Sequence, residues 1–561
     1  MVVENQVAGL EKRVLAPVPR PHPMLCKNNS SPYRLYHTIP NSPWGIPEPH
    51  HLKASEVDPL KLPELCKILS LRLQHATLTL PEHVADLKVG GQTLKEALVA
   101  KDQDAFLLWD PRVHEILHLG PINSAEFDRP NPSHPAWSKR QLPSLVREFL
   151  ALPEMSWLND LQPLPFEEWV VRFPERRRIE LREARDWVLQ NGINESDATL
   201  QVFMKMESST TGTDPRNISP RSPRFLSIFG PYMAAVEKAA INAPFLVKGL
   251  SPAKRAEILS EYAGVSAIET DFSRFDMTVS EEMIHHFERK WIDHAFCLKN
   301  HPDFAACVSM LSLMKGNSSL GVGYAVKGTR ASGDAHTSIA NGLLNYFVIW
   351  VCLKNLPATW KSWHEGDDGR ISCPTHLLSQ AVDNLRFAAI LGFKLKVIVH
   401  LDPSQAVFCG RRVCECGVEQ ADVPRALAKF HTTVKEGDEM SLVLAKAYSY
   451  RFTDGATPII GTLCQALIDN LEGKVNPRKL RRRIACLRGF ERGRIVLGQA
   501  TATKPPAPCC RALLAVATGW SVALQIAFET ELSAWADVIT NVEPLATDTT
   551  LCSTPDMILY D

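Results

Sequence analysis

The stretch Trp360-Lys361-Ser362-Trp363-His364-Glu365-Gly366-Asp367-Asp368-Gly369-Arg370-Ile371-Ser372 constrains this chain more than any other. Apolar and polar residues alternate on either side of a tight, glycine-containing turn, which predicts a β-hairpin. Two aspartates stand at its tip. Adjacent carboxylates repel each other, and the repulsion is costly unless a cation neutralises them or water screens them. An isolated Asp-Asp-Gly is most often a surface turn, so the choice between these readings falls to the segments upstream.

Two such segments bear on it. Val265 to Asp271 alternates as a strand, placing Asp271 at a strand end where a carboxylate can hold a divalent cation, with Asp276 five residues on. Thr278 and Glu281 have the spacing of a capping box, opening a helix that carries Ile284, Phe287, Trp291 and Ala295. The second segment runs Gly328-Thr329-Arg330-Ala331-Ser332-Gly333-Asp334-Ala335-His336-Thr337-Ser338-Ile339-Ala340-Asn341. Ser332-Gly333 is a turn whose backbone can approach a ligand closely, and Thr337 and Asn341 share one helix face. Taken singly, either of those two is equally well a satisfied polar residue of the core.

In order along the chain, Asp271-x4-Asp276, Ser332-Gly333-x3-Thr337-x3-Asn341 and Gly366-Asp367-Asp368 resemble motifs A, B and C of the RNA-dependent RNA polymerases of positive-strand RNA viruses. The likeness is strongest to those of nodaviruses and tombusvirus-like viruses. It implies an α+β right-hand fold of fingers, palm and thumb, with a ferredoxin-like antiparallel palm sheet backed by helices. Asp271, Asp367 and Asp368 would hold two Mg2+ ions, for which Mn2+ can substitute. Asp276, Ser332, Gly333, Thr337 and Asn341 would meet the ribose of the incoming nucleotide. Reverse transcriptases place a bulky aromatic at the position of Asp276, so a polar residue there points to ribonucleotides.

The resemblance extends outward. Lys205-x-Glu207, Arg216-x-Ile218 and Arg221 resemble motif F, which implies triphosphate binding by Lys205, Arg216 and Arg221, with Ile218 and Gly328 as template or hinge elements. A helix through Leu377, Leu378, Ala381, Val382, Leu385 and Ala389, stopping at Gly392 and followed by a strand from Phe393 to Val399, resembles motif D. Lys394 or Lys396 would then protonate the leaving pyrophosphate, although alternating lysines on a half-buried strand more often face solvent. Val407-Phe408-Cys409-Gly410 resembles motif E, and Lys446 to Tyr450 through Thr457-Pro458-Ile459 resembles the start of a thumb. The expected division is an N-terminal extension with fingers elements over 1–160, fingers over 161–264, palm over 265–422 with a fingers insertion near 298–326, and a helical thumb and C-terminal region over 423–561.

Composition bounds the rest. Lysine plus arginine and aspartate plus glutamate both total 62, so only local clusters can favour nucleic acid. Arg176, Arg177, Arg178, Arg182 and Arg185 fall in a predicted charged helix from Glu167 to Val188, and a solvated face is the first expectation for it. Pro477 to Arg494, interrupted by Leu480, Ile484 and Leu487, is a basic amphipathic face suited to phosphates. The fourteen cysteines are scattered. Cys409, Cys414 and Cys416 lack a paired second knuckle, so reduced, ordinary thiols are expected and no structural zinc is predicted. Ala512 to Phe528 is too short and too interrupted to span a bilayer, and a buried helix is expected. The proline-rich residues 16–50 predict an extended arm.

The resulting reading is an RNA-dependent RNA polymerase acting on ribonucleoside triphosphates, a single-stranded RNA template and the nascent RNA. The resemblance further implies initiation without a primer, viral replication proteins as partners, and work at membrane-associated complexes in the host cytoplasm. Two other classes remain open on the residues: a silent RNA-binding scaffold of polymerase-like fold, and a generic metal hydrolase, which would explain the aspartates but not Thr337 and Asn341.

Overall fold

The computed structural model describes residues 141–205, 217–262, 265–318, 323–357, 360–430, 438–487, 495 and 505–534, preceded by the short strands 77–79, 88–89 and 92–93. The proline-rich arm, Arg216, Arg488, Arg492 and Arg494 lie outside the described residues.

The centre of the molecule is a four-stranded antiparallel sheet of β1 (Ser266–Phe272), β2 (Lys361–Glu365), β3 (Asp368–Cys373) and β4 (Leu395–His400), in the spatial order β4-β1-β3-β2. Helix α1 (Thr337–Leu353) connects β1 to β2, and α2 (Leu378–Leu385) connects β3 to β4. This order is that of a split βαβ arrangement, and the architecture is α+β. In α1 every residue from Ile339 to Leu353 is buried. A helix apolar on all sides has to lie inside a core. It does so among Phe149, Phe287, Ile268 and Ile371, so two of the sheet's own strands form part of its wall.

A second sheet joins Thr77–Thr79, Gly323–Lys327, Leu313–Ser318, Leu200–Met204 and Asn217–Ile218 in that order. It brings segments before and after β1 side by side. Beyond the hairpin of β5 (Arg411–Val413) and β6 (Glu419–Ala421) the chain is helical: α3 (Val423–Phe430), α4 (Glu439–Asp454), α5 (Ile460–Leu471), α6 (Pro477–Ala485), α7 (Pro508–Thr518) and α8 (Val522–Ala534). These helices share a separate core that includes Leu444, Tyr448, Leu463, Leu467, Leu480 and Ile484.

Several local expectations are corrected. The cap before Met283 is Ser280, whose hydroxyl accepts from the Met283 N–H at 3.1 Å, while Thr278 bonds back to the Phe275 carbonyl. The helix that follows is three pieces, Glu281–Met283, a π-helical turn Ile284–Glu288, and Arg289–Phe296. The charged stretch from Glu167 is two helices, Phe166–Val170 and Glu175–Asn191, broken before Pro174. Arg177, Arg178, Arg182 and Arg185 are engaged by the protein. Arg182 pairs with Glu167 at 2.7 Å, Arg177 with Glu180 at 2.6 Å, and Arg185 lies over the Phe166 ring. The apolar run near the C-terminus is α7 and α8 with a 104° bend, and among the described residues no single helix is long and apolar enough to cross a membrane.

Candidate active site

The hairpin forms as its residue pattern requires. Glu365 pairs with Asp368 across a two-residue turn of Gly366 and Asp367. Gly366 has φ of 61°, a left-handed value that favours glycine at the first position of such a turn. On its other edge β3 pairs with β1 through Gly369 opposite Thr270, so one further step sets Asp368 level with Asp271. Asp271, Asp367 and Asp368 are all exposed. Partial removal from water, then the charges of Asp367, Asp271, Glu365 and Glu269, push the Asp368 carboxyl up to about 6. Because these side chains still reach solvent, the mutual repulsion is the more telling cause. A crowded, oxygen-only donor set of this kind suits a hard divalent cation such as magnesium or manganese.

The hairpin tip is held from below by a residue that sequence reasoning missed. Asn345, on α1, directs its amide Nδ2 at the carbonyls of Gly366, Asp367 and Asp368, at 3.2, 3.0 and 3.1 Å. Its spacing from Asn341 was the available signal, one more polar residue on the same face of an otherwise apolar helix.

One turn earlier, Asn341 donates from Nδ2 to Asp276 Oδ1 at 2.8 Å, and the Ser332 hydroxyl donates to Asp276 Oδ2. Asp276, Ser332 and Asn341 are thus brought together. Thr337 is not joined to them by a hydrogen bond: its hydroxyl donates to the Ala331 carbonyl at 2.7 Å and stabilises the turn ahead of α1. Gly333, at φ 93°, lies so close to Ile218 that a Cβ would meet the Ile218 Cγ2 at 2.6 Å. Gly328 likewise packs against the Glu281 backbone, where a Cβ would come within 2.6 Å.

Behind Asn341 lies a buried charge network. Arg330 donates from Nε to Asn341 Oδ1 at 3.0 Å, and its Nη2 is 2.5 Å from Glu288 Oε2. The other Glu288 oxygen is 2.7 Å from His336 Nε2. Burial alone would raise the Glu288 carboxyl, but the charges of and hydrogen bonds from Arg330 and His336 outweigh it and hold that carboxyl well below the usual range. Glu288 ends the π-helical turn, a helical irregularity frequent at functional sites.

The basic candidates divide. Lys205 closes the strand Leu200–Met204 and is half-buried. Arg221 is corrected from a triphosphate ligand to a framework residue. It is 3% exposed, pairs with Asp334 at 2.7 Å, and donates to the carbonyls of Ala198, Leu313 and Leu311 and to the Met314 sulfur, which uses all its N–H groups. Lys396 sits directly opposite Asp271 in the β4–β1 register, so the two project from the same face. Lys394 precedes β4, its carbonyl accepting from Ser273 N. Cys409-Gly410 makes a tight turn between Phe408 and Arg411, and the Cys409 thiol reaches Glu365 Oε2 at 3.6 Å.

Residues 158–436 match the family described as viral RNA dependent RNA polymerase. Among curated proteins, the chain is similar to the RNA-directed RNA polymerase of Pariacoto virus, with 28% identity over 49% of this chain and 29% of that protein. It is similar to that of tobacco necrosis virus (strain A), with 26% identity over 45% of this chain and 37% of that protein. For striped jack nervous necrosis virus the identity is 29%, over 49% of this chain and 29% of that protein. The matched region thus spans well under half the length of these relatives.

Proposed function

Because the chain resembles the viral RNA-dependent RNA polymerases over residues 158–436, we propose that it extends RNA on a single-stranded RNA template from ribonucleoside triphosphates. The observation that carries this reading is the joint position of two groups on α1. Asn341 holds Asp276, and Asn345 holds the hairpin that bears Asp367 and Asp368. A metal hydrolase needs the carboxylates but has no use for the polar trio beside them.

In this reading Asp271 and Asp367, with Asp368, would hold two magnesium or manganese ions, which when bound stabilise the attacking and leaving oxygens of phosphoryl transfer. The chain's own residues then do the positioning. The Asp276 carboxyl oxygens are acceptors, and Asn341 keeps a second Nδ2 hydrogen beyond the one given to Asp276. A ribose 2′ hydroxyl, being donor and acceptor at once, can be read by that pair, whereas a deoxyribose leaves both unanswered. Lys396, opposite Asp271, is placed better than Lys394 to give a proton to the departing pyrophosphate. Lys205, with Arg216, is assigned to the triphosphate.

The four-stranded sheet is assigned as the palm, the five-stranded sheet with its hairpin as part of the fingers, and α3 to α8 as the thumb and C-terminal region. The exposed basic side chains of α6, Arg478, Lys479, Arg481 and Arg482, are assigned to the RNA backbone. Initiation without a primer, replication-protein partners and work at host cytoplasmic membranes complete the proposal and rest on the resemblance alone. The test is incorporation of labelled ribonucleotides on single-stranded RNA, without a primer, in magnesium or manganese, by the native chain and Asp367→Ala. Activity in the first and none in a folded second supports the reading. A folded chain that binds RNA and incorporates nothing favours the scaffold.

A further inference from the structure

Four cysteines far apart in the sequence meet at one point. Cys414 and Cys416 lie in the turn between β5 and β6, and Cys509 and Cys510 lie in the first turn of α7. Their sulfurs all lie within 4.8 Å of one another, with Cys416 Sγ and Cys510 Sγ 3.5 Å apart. The second pair that the spacing of Cys414 and Cys416 lacked is therefore supplied by the fold, from 94 residues downstream.

From this geometry we propose that Cys414, Cys416, Cys509 and Cys510 form a structural zinc site. A tetrahedral zinc with Zn–S bonds of about 2.3 Å sets its sulfurs about 3.8 Å apart, inside the spread seen here. The spacing does not suit a disulfide, whose sulfurs are about 2.05 Å apart, and all four are free thiols. Four thiolates select a soft or borderline ion over magnesium.

The surroundings are built for such an ion. Cys414 and Cys510 are buried against Leu513 and Val418, while Cys416 is exposed and leaves an entry path. The turn is closed by hydrogen bonds from Cys414 N to the Val418 carbonyl and from Gly417 N to the Cys414 carbonyl, at 2.8 and 2.9 Å. Gln420 donates to the Cys510 carbonyl at 3.2 Å and ties β6 to α7 directly. The site pins the C-terminal helices to a hairpin that begins beside the Cys409-Gly410 turn, and so stiffens the junction between the central sheet and the helical region.

The test is metal analysis of the full chain, with Cys416→Ser/Cys509→Ser as the ligand variant and Cys486→Ser, an exposed thiol outside the cluster, as the control. The native chain and the control should each retain about one zinc, and the ligand variant should lose it. Cobalt added to the metal-free native chain should give the d–d and thiolate charge-transfer bands of a tetrahedral four-sulfur site, a reading that does not depend on the variant folding. A chelator should expose four further thiols to a thiol reagent. A folded native chain that retains no zinc, gives no such cobalt spectrum, or yields a disulfide within the cluster overturns the proposal.

Discussion

Asn341 and Asn345 stand one turn apart on α1 and hold different halves of the site: the amide of Asn341 grips Asp276 at 2.8 Å, and that of Asn345 grips the Asp367 carbonyl at 3.0 Å. Four residues of helix rise about 6 Å. One buried helix therefore sets the separation between the Asp276 carboxylate and the hairpin tip.

Asn345→Ala should leave three carbonyls of the hairpin tip without their side-chain donor. Each unmet buried acceptor costs about 1–3 kcal/mol, part of which water at the tip will recover. Incorporation should fall about 10- to 100-fold, mainly in kcat, with a shift to higher magnesium requirement. Steady-state rates across a magnesium series check this, and an unchanged kcat and magnesium dependence would remove Asn345 from the positioning role.

Asp276→Ala should weaken discrimination between ribo- and deoxyribonucleotides more than it weakens incorporation itself. Losing a hydrogen bond to a charged group is worth about 1.5–3 kcal/mol, or roughly 10- to 150-fold in the ratio of kcat/KM values for a ribonucleotide and its deoxy counterpart. Thr337→Val should change that ratio little, because its hydroxyl is committed to the Ala331 carbonyl. Single-nucleotide incorporation measures both.

The Glu288 carboxyl is depressed in the folded chain, so its contribution is fully present above its unfolded pKa of about 4.3 and is lost as pH falls below that. Glu288→Gln strands Arg330 in the core and should cost about 3–5 kcal/mol near neutral pH. The difference in Tm between native and variant chains should narrow steadily on acidification below about pH 4.3. A constant difference across that range would argue against the pairing.

Asp368 has the opposite sign. Its folded pKa is raised, so the metal-free chain should gain stability as pH drops through about 6 toward the unfolded value of about 3.9. Asp368→Asn should abolish that gain and raise the metal-free stability at neutral pH by no more than about 1 kcal/mol, given the solvent around it. Added magnesium should stabilise the native chain and not the variant. Thermal melts with and without the ion decide it.

What could be read from the residues alone is local. The alternation around Gly366-Asp367, the strand ending near Asp271, the helix face shared by Thr337 and Asn341 and the strand after Gly392 are all coded within a few residues, by periods and turn chemistry that need no distant partner. The ordered aspartates and the Ser-Gly, Thr and Asn spacing were visible for the same reason. Tertiary structure alone decided the pairings that cross the chain. Arg221 finds Asp334 113 residues away, Glu288 meets Arg330 through a π turn that no pattern announced, and Cys416 meets Cys510 only because β6 packs on α7. A hydrogen bond or thiol contact reads distance in space, and composition and spacing record only distance along the chain. Arg221 therefore looked like a phosphate ligand until its partners were seen, and Cys414 and Cys416 looked incomplete until the other pair arrived.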